Sequence, residues 1–149
     1  MPRVLIETNI LLRAIDLGHS QQQQAVDSQI ALRLAGEELC IFYQNLIEFR
    51  AVATRPVSAN GLGMTQQQAN SELRSLRSIY VHLSDTPSVF AQWEQLVAVY
   101  VSEGKQNHDA RIVGAMIVHS KPKILTFNDS DFRRYAEIDV VSPSDILKS

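Results

Sequence analysis

The chain has 149 residues, of which 45% are hydrophobic and 20% charged, with a formal net charge of −2. That length fits one domain, burying roughly two-thirds of its unfolded surface, and the composition is that of a soluble globular protein. It excludes a membrane-spanning chain, since no stretch approaches roughly 18 consecutive apolar residues, and one cysteine, Cys40, excludes an internal disulfide. The weak negative charge does not announce a nucleic-acid binder, although bound metal and a local basic rim can hold phosphate on an acidic protein. No secretory leader is visible, so a cytoplasmic protein is the expectation.

Residues 3–7 read as a buried strand, because Val4, Leu5 and Ile6 are consecutive and apolar. Thr8 and Asn9 offer cap chemistry for a short apolar helix over 10–15. Ser20 precedes a second helix on which Val26, Ile30 and Leu34 share a face, and Gly36 ends it. The glutamines at 21–24 read as its solvated first turn. Residues 39–42, with Cys40 as a small core residue, suit a second strand, and 45–54 a helix ended by Arg55-Pro56. Beyond a loop over 58–63, Thr65 caps a helix whose Ala69, Leu73 and Leu76 share a face. Residues 79–83 suit a short strand, and Thr86-Pro87 opens the next helix. There Val89, Trp93, Leu96, Val97 and Tyr100 form an apolar stripe, read as core rather than as a base-stacking platform. After a loop over 104–107, Asp109 begins a helix apolar nearly all round, which should be buried. Residues 124–127 and 138–141 suit strands, and 143–147 a short turn or helix. Strands alternating with helices imply parallel pairing in a layered α/β/α fold, a single domain over 1–149.

Carboxylates recur where strands end or helices begin: Glu7, Glu48, Asp109, and Asp129 with Asp131. In a parallel sheet such positions gather at one edge. Carboxylates gathered there repel one another unless a cation joins them, and oxygen-only ligands suit Mg²⁺ or Mn²⁺. The chemistry this indicates is phosphodiester cleavage, which needs an activated water, neutralised charge at phosphorus and a stabilised leaving oxygen. Plainer uses exist too: Glu48 as a first-turn carboxylate, Asp109 as an N-cap, Asp129 or Asp131 as loop caps. His108 reads as structural or substrate-facing, and His19, His82 and His119 lack zinc-ligand spacing. Arg13, Arg50, Arg111, Arg133 and Arg134 are candidate phosphate contacts, or surface ion pairs.

These segments resemble a known family. Leu5-Ile6-Glu7-Thr8-Asn9-Ile10-Leu11-Leu12 resembles the opening of PIN domains, and Asn45-Leu46-Ile47-Glu48-Phe49 their second acidic segment. Asn60-Gly61-Leu62-Gly63 and residues 104–111 resemble a bacterial subgroup, and Thr126-Phe127-Asn128-Asp129-Ser130-Asp131-Phe132 the final acidic motif. The ordered set covers nearly the whole chain. The resemblance implies a PIN-like three-layer α/β/α domain with a central, mainly parallel sheet. It implies a VapC-type toxin, an endoribonuclease that depends on Mg²⁺ or Mn²⁺ and cuts RNA such as tRNA. It also implies a homodimer and a small VapB-like antitoxin. By motif position, Glu7, Glu48, Asp109 and Asp131 are the expected catalytic and metal-binding residues, with Asp129 as a further ligand. Thr8 and Asn128 are expected to support them by hydrogen bonds, and Arg13, Arg50 and Arg111 to contact substrate. The helices over 10–15 and 21–36, with the 65–78 region, are the expected dimer or antitoxin surface.

One departure stands out: the family has Asp where this chain has Glu7. The extra methylene moves the carboxylate by roughly 1.5 Å, which octahedral Mg²⁺ tolerates poorly. A displacement of about 1 Å can slow a reaction on the order of a hundredfold. Glu7 is therefore either native to a re-spaced site or an engineered attenuation. Two further classes stay open: a PIN-fold RNA-binding or interaction module without activity, and a phosphatase or DNA nuclease built on the same carboxylates.

Overall fold

Side chains alternate across a strand, and in the first strand, β1 (Arg3–Ile6), this alternation divides the core in two. Leu5 faces one helical layer, while Val4 and Ile6 face the other. The second strand, β2 (Glu38–Ile41), repeats the division, with Cys40 on the first face and Leu39 and Ile41 on the second. Strands buried on both faces read as continuous apolar runs and need helices on either side. The computed structural model, which describes residues 2–120 and 122–148, has that arrangement.

Between the two strands lie α1 (Thr8–Ala14) and α2 (Gln22–Leu34). After β2 come α3 (Tyr43–Thr54), a 3-10 turn at Val57–Ala59, α4 (Gln66–Ile79) and β3 (Val81–His82). Next are α5 (Pro87–Tyr100), α6 (Gln106–Val118), β4 (Lys123–Leu125), α7 (Asp129–Phe132), β5 (Val140–Val141) and α8 (Pro143–Leu147). The sheet order is β3-β2-β1-β4-β5, and every pairing is parallel. Leu5 pairs with Cys40 on one side and with Ile124 on the other. Residues of α5 and α6 fill one core and residues of α1 to α4 the other. Gly114 lets α6 lie close on α5: a Cβ there would stand 3.2 Å from the Trp93 amide nitrogen. No helix among the described residues is long and apolar enough to cross a membrane.

Several boundaries differ from the sequence reading. β1 stops at Ile6 because Glu7 caps α1, its carboxylate accepting from the Asn9 amide, so α1 starts at Thr8. α3 starts at Tyr43, since Asn45 folds back and accepts from the Phe42 amide at 2.8 Å. α4 runs on to Ile79, so the strand expected over 79–83 shrinks to two residues. α6 starts at Gln106, which places Asp109 inside its first turn rather than at its cap. β4 ends at Leu125 because Thr126 Oγ1 accepts from the Asn128 amide and turns the chain.

Candidate active site

The chain runs from β1 to β2 in one direction along the sheet and later returns to place β4 on the other side of β1. The crevice beyond the carboxyl ends of β1 and β4 is therefore a topological switch point, where open α/β sheets bind ligands. Glu7 stands there. Its amide donates to Leu125 O at 3.1 Å, and its Oε2 accepts from Asn9 N at 3.1 Å. Asn9 ties the crevice together from both sides, donating to Thr126 Oγ1 and accepting from the Phe127 amide, each at 3.2 Å.

Glu48 enters from α3. Its Oε1 accepts from Thr8 Oγ1 at 2.8 Å and its Oε2 from Gln44 Nε2 at 3.1 Å. Thr8 Oγ1 in turn accepts from Asn45 Nδ2 at 3.2 Å, and both Thr8 and Asn45 are buried. Satisfied buried networks of this kind fix side-chain position. Asp109 enters from α6, with His108 and Lys105 beside it. Glu7, Thr8, Asn9, Glu48, Lys105, His108, Asp109 and Asn128 line one cleft of about 300 Å³.

The remaining expected residues lie apart from that group. Asp131 is exposed and pairs with Lys105 Nζ at the cleft rim, 3.5 Å away. Asp129 pairs with Arg133 at 3.1 Å. Arg13 pairs with Asp16 at 2.8 Å, and Arg50 donates to Gln66 and Asn70. Arg111 bridges Asp85 at 3.0 Å and Gln44 at 2.6 Å, next to the cleft. Lys105, Gln44, Asn45, Asn9 and Thr126 escaped the sequence reading. The signal for Lys105 is its i,i+4 spacing to Asp109, legible once the helix is known to start at Gln106.

Electrostatics single out the same group. Burial pushes the Glu7 carboxyl up to about 7 from an ordinary 4.5, and the nearby Glu48 and Asp109 push the same way. The Asn9 amide and the Lys105 ammonium oppose this. Asp109 is also raised, first by burial, then by Asp131 and Glu48, against Lys105 and His108. Burial and nearby like charge both disfavour the ionised form of a carboxyl, and a cation bound there would favour it. Among the described residues, no three or more His, Cys, Asp or Glu side chains converge closely enough to hold a metal ion. The arrangement instead fits Mg²⁺-type binding, in which one or two carboxylates suffice and water completes the shell. Glu7 and Asp109, with Glu48 alongside, are the cleft side chains that could supply oxygen ligands to such an ion.

No protein-family model matches the chain, and no curated protein sequence does. Solved structures do. DNA-bound VapBC from Salmonella typhimurium is 15% identical with a TM-score of 0.71, over 96% of this chain and 99% of that one. VapC20 from Mycobacterium tuberculosis, a sarcin–ricin loop cleaving toxin, is 16% identical with a TM-score of 0.66, over 92% and 98%. FitAcB from Neisseria gonorrhoeae is 16% identical with a TM-score of 0.61, over 95% and 98%. An all-parallel five-stranded sheet between two helical layers, matched over nearly the full length of both chains, gives this protein the PIN-like α/β/α fold of VapC toxins.

Proposed function

We propose that the protein is the toxin of a type II toxin–antitoxin pair, an endoribonuclease that needs Mg²⁺ or Mn²⁺ and acts on structured RNA such as tRNA. The observation that carries this reading is the acidic cleft at the switch point, where burial first, and then the nearby Glu48 charge, raise the proton affinity of Glu7 and Asp109. Glu7, Asp109 and Glu48 would hold the ion, with Asp131 reaching it through water. A bound divalent cation would supply charge neutralisation at phosphorus and acidify water. The chain's own residues do the positioning. Thr8 and Gln44 fix both oxygens of Glu48, and Asn9 holds the β1 and β4 exits in register. Lys105 is 70% exposed at the rim, free to exchange Asp131 for a phosphate oxygen. The fold shared with VapBC and FitAB structures supports a VapB-like antitoxin as partner, and a homodimer as the working unit is part of the same proposal.

Induced expression in a bacterial host tests the toxin reading. Growth should stop with the unaltered chain and continue with Asp109→Asn at equal protein level. Normal growth with both, at equal soluble amounts, contradicts a toxin.

A further inference from the structure

A second cleft lies beside the acidic one, and His108 lines both. Its volume is about 370 Å³, and Val89, Phe90 and Trp93 from α5 line it. Phe90 is 61% exposed, a large aromatic ring left to water at the mouth of a cleft. Its ring centroid is 5.4 Å from that of Trp93, with the planes tilted by 32°. The Trp93 indole N–H donates to Asn107 O at 2.8 Å, so this ring is held without help from a ligand. Arg111 lines the same cleft, fixed by Asp85 and Gln44. Thr86 also lines it, and its Oγ1 is buried without a hydrogen-bond partner.

We propose that this cleft is a subsite for a nucleobase of single-stranded RNA next to the scissile phosphate; this rests on the nuclease reading above. Aromatic rings and a guanidinium plane are the groups on which unpaired bases stack. The location argues for RNA over an apolar peptide. With a phosphate at the Glu7–Asp109 cleft, a neighbouring nucleotide that runs toward His108 meets the second cleft, which His108 also lines. The two clefts are also mechanically joined: Gln44 accepts from Arg111 and donates both to Glu48 and to the His108 carbonyl. A base stacked against Arg111 therefore bears on the position of a carboxylate in the acidic cleft.

Trp93 is the chain's one tryptophan, so its fluorescence reports occupancy directly. The full-length chain carrying Asp109→Asn, which prevents cleavage, is titrated with short single-stranded RNAs of each base composition and with an abasic RNA of equal length. Base-bearing RNA should quench Trp93 and the abasic RNA should not. Adding Phe90→Ala should weaken binding roughly 5- to 100-fold, as expected for loss of one base stack, and Phe90→Tyr should restore it. Phe90 is exposed, so the fold should survive its replacement. RNA that is cleaved by the unaltered chain while Phe90→Ala changes neither binding nor quenching overturns the subsite and leaves the nuclease standing. A chain that neither binds nor cleaves any RNA overturns both. Trp93 quenched by an antitoxin protein but by no RNA makes the cleft a partner surface, and overturns the proposal too.

Discussion

Replacing Glu7 with Gln should stabilise the protein at neutral and alkaline pH. Gln keeps a side-chain oxygen to accept from the Asn9 amide and removes the charge. The Glu7 carboxyl ionises at about 7 in the folded chain against an ordinary 4.5. A raised carboxyl favours the folded state while it stays protonated. Its stabilising contribution is complete below about pH 4.5 and is lost as the pH rises through about 7. With about 1.4 kcal/mol for each tenfold change in proton affinity, the ionised group sets the native state back by roughly 3–4 kcal/mol at high pH. The opposing Asn9 hydrogen bond is already contained in that balance. Urea denaturation followed by circular dichroism, in EDTA and across the pH range, measures the difference. The Glu7→Gln chain should match the unaltered chain in acid and exceed its stability by roughly 3–4 kcal/mol near pH 8. A variant that is less stable at every pH, or whose advantage does not change with pH, refutes the electrostatic account of the cleft.

Two further outcomes follow from the same network. Lys105 lowers the proton affinity of both Glu7 and Asp109, so Lys105→Gln should move the pH-dependent loss of stability to higher pH; an unmoved midpoint in the same denaturation series contradicts that role. Asn45→Ala removes the acceptor for the buried Phe42 amide and the donor to Thr8. It should lower stability by roughly 2–3 kcal/mol, measured as a drop in the urea midpoint at unchanged slope.

The layered fold is legible in the sequence because its strands are short apolar runs bounded by polar turns, and its helices carry regular stripes. Glu7 is legible for the same reason, as a charge closing a buried strand. Its second role, capping the helix it precedes, is not, since a Glu is a weak N-cap signal. The start of α6 is hidden because Lys105-Gln106-Asn107-His108 carries no apolar pattern and no cap side chain, yet this turn delivers Lys105 to the cleft. The second cleft is equally hidden. Phe90 lies outside the stripe of Val89, Trp93 and Leu96, and it shares a cleft with Arg111 only because Gly114 brings α6 against α5. Asp129 and Arg133 show the opposite case: their spacing fits a salt bridge on one helix turn as well as it fits a metal ligand, and the structure contains the salt bridge.

We propose metal-dependent RNA cleavage at a site centred on Asp109 and Glu7. The most direct measurement is cleavage of end-labelled total RNA by the purified chain, by Asp109→Asn and by Glu7→Asp, each with Mg²⁺, Mn²⁺ or EDTA. Discrete fragments should form with either metal, vanish in EDTA and vanish with Asp109→Asn. Equal rates for Glu7 and Glu7→Asp mark a site spaced for Glu, whereas a large rise with Asp marks Glu7 as attenuating. Cleavage that persists in EDTA or with Asp109→Asn, or no cleavage by any of the three chains, contradicts the account.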